Sequence, residues 1–225
     1  MKYKLSNTAT VQELAEFAQI PLKYPRLYQK QFVISGKEET IIPIITQEDT
    51  NQISFGIWGL LPNNYDEDWQ DFQNVIDTLT IKHNELDANY FVKNDANLKR
   101  CLILITGFFT TYLDQGKTQT FFISQKDNQP FYVAGCYNQL NDGFLTFALL
   151  LKDQDKVFQK VQNLSDYMPF VIDNKLKDLW LSEDEDLKSI IQKTNKASTT
   201  EFKITQIDKS VSLRSIPSIR KYINH

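Results

Sequence analysis

The apolar positions of this chain fall mostly into short runs typical of strands, and fewer segments repeat at the spacing of a helix. The run from Cys101 to Ile105 predicts a strand buried on both faces, because no polar residue interrupts it. Gly107 follows this run and permits a bend or the close approach of two backbones. Further strands are predicted at residues 31–35, 40–46, 53–61, 119–124, 131–136, 144–151 and 201–207.

Turn residues between these runs predict how some of the strands are connected. The runs at 31–35 and 40–46 are separated by Gly36 and charged residues, which predicts a hairpin or a bulged pair. Pro43 lies within the second run and favours an edge strand or a bulge, because proline cannot donate a ladder hydrogen bond. The sequence Asn141-Asp142-Gly143 predicts a further hairpin before the run at 144–151.

Capping boxes and apolar stripes predict the helices. Thr10 and Glu13 fit a capping box, in which each side chain hydrogen-bonds to the backbone of the other residue, and Pro21 ends the helix. Ser182 and Glu185 fit the same pattern. The other predicted helices lie at 66–76, with an apolar face of Trp69, Phe72, Val75 and Ile76, and at 157–164, 176–181 and 215–223.

Helices and strands are mixed without a regular βαβ alternation, which predicts an α+β fold. The only plausible linker is polar and lies at about 194–200, and we interpret it as an internal loop of one domain over residues 1–225. The chain is long enough to bury a large core. No apolar run approaches the length of a membrane span and no signal peptide precedes the first helix, so we expect a cytoplasmic protein without membrane contact.

The composition limits the kinds of ligand and metal site that the chain can support. The net charge of −3 and a pI near 5.5 argue against a broad polyanion-binding surface, so any nucleic-acid site must be a local groove. Cys101 and Cys136 lie in apolar runs and are expected to be buried free thiols. The only histidines are His83 and His225, and no metal-ligand spacing occurs. We therefore expect neither a metal nor a cofactor.

Several ordered motifs resemble those of the SRAP family, the SOS-response-associated peptidases. The segment 99–109, K-R-C-L-I-L-I-T-G-F-F, resembles the family signature R-R-C-L-I-P-x-x-G-F-Y-E-W. The segment 58–62, W-G-L-L-P, resembles W-G-L-I-P, and the segment 168–172, M-P-F-V-I, resembles part of R-M-P-V-I-L. Similar matches continue at 116–123, 134–137, 180–187 and 207–211. The shared order covers nearly the whole chain.

This resemblance implies a compact α+β fold around a curved, barrel-like antiparallel β-structure with flanking helices. Members of the family capture abasic sites in single-stranded DNA. Their N-terminal cysteine forms a thiazolidine crosslink with the sugar aldehyde, and in some members it also removes a short leader by autoproteolysis. An Asn and an Arg from an N-A-R segment, the Glu of G-F-Y-E-W and a His before R-M-P support that chemistry.

Position by position, this chain lacks these residues. Lys2 replaces the N-terminal cysteine, Thr80 replaces the Asn and Lys82 replaces the Arg. Thr110 stands in place of the Glu and has no carboxylate, and Ser165 stands in place of the His. Tyr167 replaces an Arg that contacts DNA. The sequence therefore predicts a degenerate SRAP protein that acts at most through non-covalent binding of single-stranded DNA or of a protein partner.

Several alternatives remain open at this stage. A residual DNA surface would combine Trp58, Phe109, Tyr112 and Tyr167 for base stacking with Lys4, Lys82 and Arg100 for phosphates, although Trp58 and Phe109 also fit a core position. Lys2, Lys4 or Lys82 could form a Schiff base with an aldehyde. His83 could replace a lost group, but a surface histidine is the simpler reading. The remaining classes are an active SRAP enzyme, if the residue matches are wrong, and a pure protein-interaction scaffold.

Overall fold

The computed structural model describes residues 4–86, 88–89, 91, 98–196 and 201–207. Its strands are β1 (Lys4–Asn7), β2 (Gln31–Ser35), β3 (Ile41–Thr46), β4 (Ser54–Trp58), β5 (Thr80–Lys82), β6 (Lys99–Ile105), β7 (Gly107–Asp114), β8 (Lys117–Gln125), β9 (Phe131–Gln139), β10 (Leu145–Asp153), β11 (Tyr167–Pro169), β12 (Val171–Ile172) and β13 (Phe202–Ile207). The α-helices with described bounds are α1 (Val11–Ala18), α2 (Trp69–Val75), α3 (Lys177–Leu181) and α4 (Leu187–Lys196), and single 3-10 turns lie at Pro25–Leu27, Phe158–Lys160 and Asn174–Leu176.

The strands form a closed barrel and a second, open sheet. In the barrel, β10 pairs with β4, β4 with β3, β3 with β6, β6 with β9, and β9 again with β10. The second sheet has the order β13-β8-β7-β1-β2. Most pairs are antiparallel, while β4 and β5 each run parallel to β10. The α+β, barrel-like expectation is confirmed.

Strand β6 is buried on both faces, as its uninterrupted apolar run predicts. Cys101, Ile103 and Ile105 pack in one core cluster with residues of the second sheet, such as Phe108. Leu102 and Leu104 pack in another cluster, with residues of α1, α3 and α4. Because alternate residues of a strand point to opposite faces, the first cluster lies on the face of β6 that is shared with the open sheet, and the second lies on the other face, beneath the helices.

The predicted hairpin between residues 31–35 and 40–46 is wrong. Strand β2 pairs with β1 in the open sheet, whereas β3 lies between β4 and β6 in the barrel. Pro43 therefore sits in an interior strand rather than at an edge. The β3–β6 ladder begins only at Ile44, so the missing N–H of Pro43 removes no hydrogen bond from that ladder.

Local helix signals are only partly correct. Thr10 and Glu13 form the predicted capping box at the start of α1. In α2, Trp69 and Phe72 pack against the core as predicted. Val75 does not: it is 83% exposed, because it lies off the face of the helix that carries Trp69. Ile76 follows the end of the helix in an extended conformation and is also exposed.

The second capping box and two other predictions also differ from the structure. Asp186, rather than Ser182, accepts hydrogen bonds from the first backbone N–H groups of α4, because Ser182 is already the C-cap of α3. The region 157–164 contains only a 3-10 turn, with Val157 and Leu164 exposed. Helix α4 continues to Lys196 and so fills the first part of the expected loop at 194–200. The predicted helix at 215–223 lies outside the described residues.

No helix in the described ranges is long and apolar enough to cross a membrane. The prediction of one domain over residues 1–225 extends beyond the described residues and stays a prediction.

Candidate nucleic-acid interface

Thr110, which the motif resemblance aligns with the signature glutamate, is a buried residue of β7. Its side chain is 1% exposed, and its Oγ1 donates a hydrogen bond to the carbonyl oxygen of Val161 at 3.0 Å. A threonine hydroxyl does not titrate in the physiological range and carries no charge. The side chain therefore ties β7 to the segment that follows the 3-10 turn Phe158–Lys160.

A second contact fixes the same segment against β7. The backbone N–H of Leu113 donates to Oδ1 of Asn163 at 2.8 Å, and Nδ2 of Asn163 donates to the Leu113 carbonyl at 2.8 Å. Ser165 lies two residues later, where its Oγ accepts a hydrogen bond from the backbone N–H of Tyr167 at 3.1 Å. Ser165 thus shapes a local turn and brings Tyr167 onto the start of β11.

Tyr167 and Lys82 meet across strand β10. Leu151 of β10 pairs with Lys82 of β5 on one side, while Asp153 pairs with Tyr167 of β11 on the other. The Lys82 Nζ lies 4.9 Å from the centroid of the Tyr167 ring, a cation–π contact. Thr80 lies on the same strand as Lys82 and pairs with Leu149, so the two segments that the resemblance aligns with the N-A-R and R-M-P motifs both pair with β10.

Two further side chains complete this partly exposed group. Nδ2 of Asn84 donates to the Tyr167 hydroxyl at 2.9 Å, and Glu85 forms an ion pair with Lys82 at 2.7 Å. We call Lys82, Asn84, Glu85 and Tyr167 the β10 cluster. Sequence reasoning missed Asn84, because its partner lies far along the chain.

His83 has an acidic neighbour that the sequence did not reveal. Its Nε2 lies 3.2 Å from Oδ2 of Asp153, and its backbone N–H donates to the Leu151 carbonyl. The pair joins β5 to the end of β10, beside the β10 cluster. Only strand pairing brings these two residues together, so the sequence contained no local signal for the contact.

Lys4 lies at the start of β1, next to the strand that carries Thr110. Leu5 of β1 pairs with Phe108 of β7. Lys2 lies outside the described residues.

Comparison with known proteins identifies the family. The model of the SOS response associated peptidase (SRAP) family matches residues 1–213. The chain belongs to the SRAP family. A curated relative, Abasic site processing protein YMR114C of Saccharomyces cerevisiae, is 26% identical over 144 residues, which make up 63% of this chain and 38% of that protein. The chain thus spans well under half the length of this relative.

Solved structures share the SRAP fold at low sequence identity. A protein from Bacteroides thetaiotaomicron superposes with a TM-score of 0.78 at 18% identity, covering 92% of both chains. A protein from Bordetella bronchiseptica gives a TM-score of 0.71 at 11% identity, over 92% of this chain and 99% of that one. A phage-related protein from the same organism gives 0.63 at 13% identity, over 92% and 94%.

Two aromatic side chains that sequence reasoning placed at a DNA surface are buried in this SRAP chain. Trp58 is 0% exposed and its Nε1 donates to the Leu79 carbonyl at 3.0 Å. Phe109 is 5% exposed and packs against the rings of Phe32 and Phe122. Their burial agrees with the core alternative for both residues and leaves no ring face open to a base.

Arg100, which sequence reasoning placed at the same DNA surface, is also buried. It is 7% exposed, its Nε donates to the Trp180 carbonyl at 2.9 Å, and its Nη2 donates to the Ser182 carbonyl. Burial lowers the pKa of its guanidinium from the ordinary value. A cation at the C-terminal end of α3 satisfies carbonyls that lack partners within the helix, so Arg100 stabilises that helix end.

The two cysteines offer no accessible nucleophile. Both are buried and free. Burial raises the pKa of Cys136 to about 12 and raises the pKa of Cys101 well above its ordinary value, so both remain protonated thiols at neutral pH. Within the ranges that the structure describes, no three His, Cys, Asp or Glu side chains group closely enough to hold a metal ion.

Proposed function

We propose that this SRAP chain binds single-stranded DNA at or near abasic sites without forming a covalent crosslink. The observation that carries the proposal is the hydrogen bond from Thr110 to Val161, because the motif resemblance aligns this buried, non-titrating hydroxyl with the glutamate of the family signature. The printed name of the yeast relative, an abasic site processing protein, supports abasic DNA as the ligand.

The β10 cluster and Lys4 supply the binding chemistry in this proposal. The half-buried ring of Tyr167 offers a stacking surface for an unpaired base, and Lys82 and Lys4 offer phosphate contacts. Glu85 and Asp153 lie in the same region and repel the phosphate backbone. Together with the net charge of −3, these carboxylates predict weak, salt-sensitive binding.

The active-enzyme alternative requires a nucleophile that the described residues do not favour. Schiff-base formation needs a neutral lysine amine. The carboxylate of Glu85, 2.7 Å from the Lys82 Nζ, stabilises the charged ammonium instead. Among the described residues, Lys4 has no neighbour that would activate its amine. Lys2 lies outside the described residues. The scaffold alternative, in which only a protein partner binds, needs no DNA contact at all.

One experiment separates covalent from non-covalent action. The full chain is incubated with a single-stranded oligonucleotide that contains one abasic site, with and without borohydride, and the products are resolved on a denaturing gel. We expect no shifted protein–DNA band under either condition. A heat-stable band without borohydride would establish crosslinking, and a band only with borohydride would establish a lysine Schiff base.

A second experiment tests the binding surface. Fluorescence anisotropy with abasic and intact single-stranded DNA should give weak binding that decreases with salt. We expect the double variant Lys82→Ala/Tyr167→Ala to weaken binding about 10-fold, the size expected for the loss of one stacked base. The control Lys23→Ala/Tyr24→Ala removes another lysine–tyrosine cation–π pair, with Tyr24 53% exposed, and should change affinity less than about 2-fold. Absence of binding by the unaltered chain would favour the scaffold alternative.

Two broader predictions remain part of this proposal. We retain one domain over residues 1–225 and a cytoplasmic location, and both rest on the sequence.

A further inference from the structure

Residues 23–30, K-Y-P-R-L-Y-Q-K, form a largely exposed basic segment between α1 and β2. Lys23, Arg26 and Lys30 are all exposed, and none of them forms an ion pair with another described residue. No Asp or Glu occurs at positions 17–37, although the whole chain has a net charge of −3. The segment is therefore a local concentration of positive charge on an acidic protein.

Hydrogen bonds at both ends fix the backbone of this segment. The N–H of Lys23 donates to the Ile53 carbonyl at 2.9 Å, and the Tyr28 hydroxyl donates to the Ala9 carbonyl at 2.7 Å. Between these two contacts, Pro25–Leu27 forms a single 3-10 turn. The side chains that reach solvent are thus carried on an ordered backbone, so a partner that binds them has little additional backbone to order.

Two apolar side chains of the segment lie in solvent among these cations. Tyr24 is 53% exposed and Leu27 is 54% exposed. The N–H of Leu27 donates to the Tyr24 carbonyl at 3.0 Å, so the two residues are adjacent and one 3-10 turn apart. The Lys23 Nζ lies 5.7 Å from the centroid of the Tyr24 ring, in a cation–π contact that covers part of one ring face. The segment therefore combines exposed apolar area and positive charge in one place.

We propose that this segment binds an acidic peptide of a partner protein through a surface made of Lys23, Tyr24, Arg26, Leu27 and Lys30, which we call the 23–30 surface. The planar guanidinium of Arg26 pairs with a carboxylate through two parallel N–H donors, and the two lysines contact further carboxylates. An apolar side chain of the same peptide packs on Leu27 and on the open part of the Tyr24 ring, which removes apolar area from water.

The aliphatic part of the 23–30 surface favours a peptide over a nucleic acid. Single-stranded nucleic acids combine phosphate contacts with bases that stack on aromatic rings. Leu27 has no aromatic face, and Lys23 already covers part of the Tyr24 ring. The 23–30 surface shares no residue with the β10 cluster, so this proposal does not require DNA binding there.

Fluorescence anisotropy of labelled peptides with the full chain tests the proposal at about 0.15 M salt, where distant surface charges are screened. The probe is D-E-D-F-D-E-D, and the controls are the neutral N-Q-N-F-N-Q-N and the acidic D-E-D-A-D-E-D. We expect saturable binding of the probe, at least about 10-fold weaker binding of the neutral peptide and about 3-fold weaker binding of the alanine peptide. Equal binding of the probe and either control, or no saturable binding, would overturn the proposal. So would displacement of the probe by an intact single-stranded oligonucleotide, because the surface would then be a nucleic-acid site.

Substitutions of exposed residues locate the interaction without disturbing the core. Arg26→Gln/Lys30→Gln removes two charges, and we expect at least about 10-fold weaker binding of the probe. Lys156→Gln/Lys160→Gln is the matched control, because it removes the same charge from two exposed lysines near Val157, an apolar residue that is 58% exposed. The control should change the affinity less than about 2-fold. Equal losses in the two variants would show that only net charge matters and would contradict a defined site.

Two double variants separate this surface from the proposed DNA surface. Lys23→Ala/Tyr24→Ala should weaken binding of the probe at least about 5-fold and leave DNA binding unchanged. Lys82→Ala/Tyr167→Ala should leave binding of the probe unchanged, whether or not the unaltered chain binds DNA. A comparable loss of probe binding in both variants would contradict a separate peptide surface.

A second copy of the chain is the alternative occupant of the 23–30 surface. Sedimentation velocity of the unaltered chain and of Arg26→Gln/Lys30→Gln distinguishes it from another protein. A dimer that this variant converts to a monomer would assign the surface to self-association, and the partner proposal would be wrong. The same sedimentation coefficient for both chains, with probe binding lost in the variant, would support a separate acidic partner.

Discussion

Thr110 and Tyr167 are single side chains with different environments in this SRAP chain. Thr110 is packed and hydrogen-bonded within the fold, whereas Tyr167 presents a half-buried ring beside Lys82. The motif resemblance aligns both positions with charged residues of the family signature. At the scale of the residue, Thr110 contributes to packing, and Tyr167 is the side chain that we propose for stacking.

Replacing Thr110 by valine should destabilise the protein measurably. Valine keeps the shape of the side chain but removes the donor that satisfies the buried Val161 carbonyl. We expect the free energy of unfolding to fall by about 1–2 kcal/mol in urea denaturation. The control Thr111→Val changes the next, partly exposed residue of β7 and should stay within about 0.5 kcal/mol. Equal stability of both variants would contradict a structural role for Thr110.

At the scale of the element, the junction of β6 and β7 depends on the absence of a side chain at Gly107. A Cβ atom at this position would lie 2.7 Å from the backbone oxygen of Ile123 and 2.4 Å from the ring of Phe122. The sequence prediction of a close backbone approach after the central run is therefore confirmed. With any larger residue at position 107, strand β8 could not pair with β7 at its present distance.

Gly107→Ala should accordingly lower the free energy of unfolding by about 1–3 kcal/mol, the usual effect of overpacking. Gly36→Ala provides a comparison, because the nearest atom there is Cδ1 of Leu79, the end of a rotatable side chain. Thermal or urea denaturation of the two variants measures the difference. The prediction fails if Gly107→Ala is as stable as the unaltered protein.

At the scale of the whole molecule, aromatic rings join the open sheet to the barrel. Phe202 of β13 packs edge-on against Phe108 of β7, Phe131 of β9 and Phe158, with centroids 5.5–6.1 Å apart. The two sheets thus share one core cluster. We expect them to unfold together in a single cooperative transition.

Phe202→Ala should weaken this joint without separating the sheets. Because Phe202 is only partly buried, we expect a loss of about 1–3 kcal/mol, less than for a fully buried phenylalanine. Phe144→Ala, which truncates a ring that is 61% exposed, should be nearly neutral. Far-UV and near-UV circular dichroism should report the same midpoint for each variant. Two separate midpoints for Phe202→Ala would show that the sheets unfold independently.

The sequence alone determined the central strand β6, the capping box of Thr10, the close approach at Gly107 and the series of motifs that resembles SRAP. These features are local, because an uninterrupted apolar run or a four-residue cap contains its own physical cause. The burial of Trp58 and Phe109 was an open alternative at that stage, since aromatic residues serve both cores and stacking surfaces.

Only the tertiary structure decided which strands pair and which distant side chains meet. The pairing of β2 with β1, the closure of the barrel between β4 and β10, and the contact of Lys82 with Tyr167 join residues far apart in the chain. Each depends on how both core clusters are buried at once, and no local window of sequence contains that information.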